Sequence, residues 1–266
     1  MKKTALAVAL LLLATPLVAQ RGPGKGSGNP GAGGPVAAGC SLATYLESLP
    51  KEDLGSAEAA SLAFLREEEK LARDVYRALF AAHGDRSFAK IAAAEQRHMD
   101  LVKLLLDRYG LADPAAGAAP GEFQDARLAA LYTDLVAKGK VSLVEALKVG
   151  ATIEDLDLAD VGKALAATDN RDVKAVLQNL AKGSRNHLRA FSRRLEALGA
   201  TYAAQHLTAD EIAKIVAAPR ERGAVDENGQ VLEGTGQGRG QGRGRGNGPG
   251  AGGGPRDGTG PGCPKA

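Results

Sequence analysis

Residues 88–105 read FAKIAAAEQRHMDLVKLL. Within them Phe88, Ile91, Glu95, His98, Val102 and Leu105 recur in steps of three and four, so they share one face of a helix. That face is apolar at both ends and carries a carboxylate and an imidazole in its middle. Three other stretches have the same form. One runs Leu62, Leu65, Glu69, Ala72, Tyr76; another Leu143, Leu147, Gly150, Glu154, Asp157, Val161; the last Val173, Leu177, Leu180, Ser184, His187, Phe191. A bundle buries such stripes against one another. Unpaired charge in the middle of a buried stripe is costly. One metal site shared by four helices would offset that cost for all of them, so the chain reads as a helical metalloprotein.

Local signals set the expected boundaries. Gly55-Ser56 opens the first long helix, with Ser56 as cap, and His83-Gly84 ends it. The second runs from near Ser87 to Tyr109-Gly110. Residues 111–124 are rich in Pro, Gly and Ala and read as a loop, followed by a shorter helix over about 125–137. Ser142 and Glu145 form a capping-box signature for the third long helix, which continues to about Ala167. Asn170 caps the fourth, ending at Leu198-Gly199. Thr208 and Glu211 open a last short helix. No run alternates with period two over a useful length, so the fold class is all-α. Short turns join helices one to two and three to four, and a long link joins the pairs, which is one established way to close a four-helix bundle.

The 266 residues divide by composition. Residues 1–19 read as a signal peptide: Lys2 and Lys3, an apolar run at 5–13, and a cleavage region before Gln20. The run is short for a membrane-spanning helix. The chain is therefore expected to be exported, to the periplasm or beyond the cell. Residues 20–40 form a Gly/Pro-rich linker, residues 41–218 the folded domain, and residues 219–266 a disordered Gly/Arg/Pro-rich tail, since such sequence lacks the apolar groups that offset ordering entropy. A net charge of +3 does not imply a nucleic-acid partner. The Gly/Arg repeat at 236–246 lacks the aromatics that stack on bases. The two cysteines, Cys40 and Cys263, make no Cys-x-x-Cys pair, which argues against a thiolate zinc or iron site. In an oxidising compartment they can pair with each other or between chains.

The candidate ligands are Glu69, Glu95, His98, Glu154, Asp157 and His187. Glu95-x-x-His98 puts two donors one turn apart on one helix. His187 holds the matching position on the fourth helix, and Glu154 and Asp157 point inward from the third. Mixed oxygen and imidazole donors suit iron or manganese and allow zinc. Plainer readings stand beside these: a buried hydrogen-bonded pair at Glu95 and His98, an acidic solvated face at Glu67, Glu68 and Glu69, and a core histidine at 187. Tyr76 reads as a core residue with its hydroxyl near the site, and His83 and His206 as surface residues.

The segment from Glu69 to Tyr76 resembles the first-helix signature Glu-x-x-Ala-x-x-x-Tyr of the rubrerythrin and erythrin group. Together with Glu95-x-x-His98 it resembles the ferritin-like superfamily. Residues 61–207 resemble in particular an exported bacterial ferritin-like family known only as a domain of unknown function, a likeness carried by residues 66–76, 94–100 and 183–191. The resemblance implies a ferritin-like four-helix bundle with a short extra helix in the crossover. It implies two irons, with manganese or zinc as alternatives, acting on dioxygen or peroxide. Glu69 would be a terminal ligand of the first ion, Glu95 a bridge, and His98 would complete that site. Glu154 and His187 would bind the second ion, with Asp157 as the extra carboxylate that such relatives tie to peroxide reduction.

Two departures matter. The fourth helix of that superfamily carries Glu-x-x-His, whereas this chain has Ser184-Arg185-Asn186-His187, so one bridging carboxylate is missing. No rubredoxin-type Cys-x-x-Cys domain supplies electrons. A non-enzymatic metal binder of the cell envelope and a metal-free structural bundle are the rival readings. No transmembrane span is expected in the mature chain, and a homodimer is compatible with the sequence.

Overall fold

The computed structural model describes residues 41–233. The expected signal peptide, the linker at 20–40, both cysteines and the Gly/Arg repeat at 236–246 lie outside the described residues. Among the described residues there are seven helices: α1 (Leu42–Ser48), α2 (Ser56–His83), α3 (Arg86–Tyr109), α4 (Ala126–Gly139), α5 (Leu143–Ala167), α6 (Arg171–Ala197) and α7 (Ala209–Ala217). The only β pairing among them is an isolated bridge between Val225 and Val231. No described helix is long and apolar enough to cross a membrane.

Short turns make two hairpins, α2–α3 and α5–α6, and each hairpin packs along its length. α2 also packs on α5 and α3 on α6, so each long helix touches two others. The stripes face inward. Their members are all buried except Leu143, which is half-buried. Gly150 shows why a helix-weakening residue belongs to a stripe. A Cβ there would lie 2.6 Å from the Phe191 ring, so the glycine is the notch that seats it. Phe191, Tyr76 and Phe88 then pack as tilted rings with centroids 5.4–6.2 Å apart.

The caps follow local chemistry with small shifts. Gly55, not Ser56, is the N-cap of α2, its N–H donating to Glu58 Oε2 at 2.8 Å. Gly84 and Gly110 end α2 and α3 in the left-handed conformation, at φ 67° and 70°. Ser142 Oγ accepts from Glu145 N, but the Glu145 carboxylate pairs with Lys148 and leaves that capping box half made. Asn170 makes no side-chain cap. Its Oδ1 accepts from the Tyr109 hydroxyl instead.

Three features depart from the sequence reading. Helix α1 was not expected; it buries Tyr45 and Leu46 and is capped by Ser41. The outer face of α2, expected to be solvated, is buried under the crossover. Arg66 grips Asp113 with two bonds of 2.9 Å. Glu67 accepts from the backbone of Gln124 and Asp125. The Lys70 ammonium donates to Asp74, Ala119 O and Glu122 O and lies over the Phe123 ring. These groups are paired, which is what lets charge be buried.

The third is a correction to the tail. Residues 219–233 pack on the domain rather than beginning a disordered segment. Val225 and Leu232 are buried. Asn179 exchanges hydrogen bonds with the Val225 backbone at 2.7 and 3.0 Å. Glu221 pairs with Arg185 and Arg189 on α6, and Glu227 with Arg171 and Tyr45. The anchoring residues, Val225, Leu232, Glu221 and Glu227, make no periodic signal, so the sequence pattern hid the attachment. Asp155 on α5 likewise fixes the 202–207 loop. Its carboxylate accepts from the Tyr202 hydroxyl and the backbone N–H of Gln205, His206 and Leu207, at 2.7–2.9 Å.

Candidate metal centre

Each long helix delivers its ligand types to one level of the core: Glu69 from α2, Glu95 and His98 from α3, Glu154 from α5, His187 from α6. His98 Nδ1 lies 2.7 Å from Glu95 Oε2 and 3.2 Å from Glu69 Oε2. His187 Nδ1 lies 2.8 Å from Glu95 Oε1 and 3.5 Å from Glu154 Oε2. Two donor groups result, Glu69/Glu95/His98 and Glu95/Glu154/His187, each with its ligand atoms within 4.8 Å of one another. Glu95 belongs to both and turns one oxygen to each imidazole. The two rings stack at 5.5 Å between centroids.

Burial dominates the electrostatics. It pushes the Glu69 carboxyl up, against the pull of His98. It raises Glu154 to about 7, reinforced by the charge of Glu95. On Glu95, burial is outweighed by His187 and His98, which hold the carboxyl well below its ordinary range. Burial would lower both histidines, but Glu69 and Glu95 raise His98 strongly, and Glu95 and Glu154 raise His187 to about 10. Glu95 and the two imidazoles thus favour one another's charged forms, while burial works against charge on Glu69 and Glu154.

The residues fit an ion better than they fit each other. Glu69 Oε1, Glu95 Oε1, Asp157 Oδ1 and His187 Nδ1 are buried with no hydrogen bond. Glu95 Oε1 and His187 Nδ1 are close, yet not aligned to bond. Buried polar atoms are rarely left so, and those that belong to the two donor groups, on Glu69, Glu95 and His187, are ones that a metal ion would satisfy. The site is also shaped around its histidine: a Cβ on Gly183 would fall 2.2 Å from His98 Nε2.

The structure brings five of the six sequence-expected ligands into the two groups. Asp157 is buried one turn along α5 but stands outside both. Its carboxylate accepts from the Ser184 hydroxyl, which also donates toward Leu180 O. Burial, then the charges of Glu69 and Glu68, push the Asp157 carboxyl up. Ser184 therefore ties down the neighbouring acid. Sequence reasoning missed Glu68, which is buried with both oxygens unbonded and whose carboxyl is raised by burial and by Asp160. Its only signal was membership of the Glu67–Glu69 run, which reads as a solvated face. Tyr76 is where the sequence put it, its hydroxyl donating to Glu154 Oε1 at 2.5 Å. His83 lies at the end of α2 against Gly139 O, and His206 in the Asp155-bound loop.

Comparison with known proteins gives a consistent placement. Residues 58–219 match the family model described as an uncharacterized protein domain, DUF2202. Uncharacterized protein MJ0754 of Methanocaldococcus jannaschii is 48% identical over 179 residues, covering 67% of this chain and 97% of that protein. The crystal structure of hypothetical protein MJ0754 superposes with a TM-score of 0.64 at 47% identity, covering 65% of this chain and 99% of that one. On the matched residues and the covered relative, the chain belongs to the DUF2202 family.

Proposed function

We propose that this chain is an exported metalloprotein of ferritin-like four-helix-bundle type, holding two ions, iron foremost, in a carboxylate/histidine centre. The observation that carries the reading is Glu95, one buried carboxylate with an oxygen in each of two donor groups. Glu69 and His98 would complete one ion's ligands, Glu154 and His187 the other's. A pair of ions so placed supplies redox chemistry toward dioxygen or peroxide, sharing the charge that develops on two oxygens. The favoured activity is an oxidase or peroxidase.

The chain's own groups prepare the site. Glu95 turns one oxygen toward Nδ1 of each imidazole. The Tyr76 hydroxyl fixes Glu154 and is a proton donor at Oε1. Phe88, Phe191 and the leucines of the stripes keep water from that end of the core. The test is metal content by elemental mass spectrometry on the mature chain, loaded anaerobically with ferrous iron against zinc and manganese. It is followed by peroxide consumption, with Glu95→Ala as control. About two ions per chain, and turnover lost in the variant, support the reading; equal turnover in both sinks it.

One observation favours a second reading, a non-enzymatic metal binder or scavenger. Ser184 stands where a second bridging carboxylate would be, and Asp157 is bonded to it. One ion per chain, or a preference for zinc, would favour that reading. So would a large gain in oxidase activity in Ser184→Glu.

A further inference from the structure

A groove of about 1190 Å³ runs between α3 and α6, roofed by residues 220–224, and His98 and His187 are part of its lining. Its walls carry Lys90, Arg97, Lys182, Arg193, Arg220 and Arg222. The acids beside them are engaged: Glu221 by Arg185 and Arg189, Asp100 by the Gln96 amide. Lys90, Arg97, Arg193, Arg220 and Arg222 are exposed and make no ion pair among the described residues. Among the described residues Arg97 donates only to Ala93 O on its own helix. The half-buried Lys182 ammonium has two neutral acceptors, Asn179 Oδ1 and Gly223 O.

Such a concentration of one sign, in a concavity walled by protein, attracts anions and repels a bare divalent cation. Dioxygen and peroxide need a small fraction of the volume, which is somewhat above the usual range of small-molecule sites. No Phe, Tyr or Trp lines the groove, so a nucleobase would lack the large aromatic platforms that single-strand binders use. Guanidinium groups in number are suited to phosphate and carboxylate oxygens.

We propose that the groove binds a small multivalent oxyanion, of phosphate or polycarboxylate class, whose inner end lies against the His98–His187 edge of the metal centre. In naming what approaches the centre, this rests on the metal-centre reading; the groove's affinity for anions does not.

The test is calorimetric titration of the full mature chain, metal-free and metal-loaded, with inorganic phosphate and with citrate at low ionic strength. One of the two anions should saturate the groove, and which one distinguishes the classes. Its affinity should fall about tenfold or more in Arg97→Glu/Arg193→Glu and by less in Arg97→Gln/Arg193→Gln. It should be unchanged in Arg127→Glu/Lys138→Glu, which makes the same charge change on α4. Metal loading should tighten binding about tenfold. No binding of either anion, or an equal loss in the α4 variant, overturns the groove as an anion site. Equal affinity with and without metal overturns the contact with the centre. If no metal loads, the metal-centre reading fails, while the metal-free titration still decides the groove.

Discussion

Replacing Gly183 by alanine should damage the site through a methyl group alone. The Cβ would sit 2.2 Å from His98 Nε2 and 2.3 Å from Cε1, about 1.2 Å short of the 3.4 Å at which ordinary contact begins. The ring cannot retreat freely, because Glu69 and Glu95 hold Nδ1 from the other side at 3.2 and 2.7 Å. Alanine is favoured over glycine inside a helix by about 1 kcal/mol. Overpacking costs about 1–3 kcal/mol, and a weakened charge-assisted hydrogen bond about 1.5–3 kcal/mol. The net loss should be about 2 kcal/mol, a fall in Tm of roughly 4–8 °C for a domain of this size. Gly162→Ala is the matched control, since a Cβ there meets nothing within 4 Å. It should raise Tm by roughly 2–4 °C. Thermal unfolding by circular dichroism, with and without metal, reads both effects. Metal should also stabilise Gly183→Ala less than the parent, because binding to the folded state alone stabilises it by an amount that grows with the logarithm of the affinity. A Gly183→Ala protein that melts at or above the parent and keeps the full metal increment would refute the reasoning.

Three other outcomes are expected. The Glu154 carboxyl, raised to about 7 by burial and by Glu95, stabilises the metal-free fold fully below about pH 4.5 and loses that contribution as pH rises through about 7. The stability difference between parent and Glu154→Gln should therefore shift against the parent between pH 5 and 8, while the metal increment grows with pH as bound protons yield to metal; a flat difference across that range would contradict the burial argument. Asp155→Ala removes one acceptor from three backbone N–H groups and a hydroxyl, and should cost about 3 kcal/mol in chemical denaturation, with hydrogen exchange rising in residues 202–207. Truncation after Ala218 strips Val225, Leu232, Glu221 and Glu227 from α1 and α6 and should cost about 3–5 kcal/mol; a truncated chain as stable as the parent would restore the view that nothing beyond 218 belongs to the domain.

Legibility followed the range of the interactions. Steps of three and four residues are a local property of the helix, so the stripe of 88–105 and its three counterparts were readable with their apolar and ligand positions. The caps at Gly84, Gly110, Ser142 and Thr208 were readable too, since each bonds within a turn of itself. Helix α1 was not, because seven residues carry too little periodicity to stand out. Glu67 and Glu68 looked solvated, because their neighbours lie far along the chain, the crossover some fifty residues on for Glu67 and Asp160 of α5 for Glu68. Glu221 and Glu227 looked like part of a polar tail, because their partners on α6 are thirty to fifty-six residues away.

What the sequence determined by itself is therefore the class of fold and the residue types that meet in its middle. Helical spacing and the cost of burying unpaired charge are enough to predict that Glu69, Glu95, His98, Glu154, Asp157 and His187 are gathered in the middle of the core. Which of them face one another was decided by the tertiary structure. Packing α3 against both α2 and α6 turns one oxygen of Glu95 to each imidazole, and packing α5 against α6 ties Asp157 to Ser184. The charged groove over the histidines was decided the same way. Its cations come from α3, α6 and the 220–222 segment, and only the docking of that segment onto α6 gathers them around one opening.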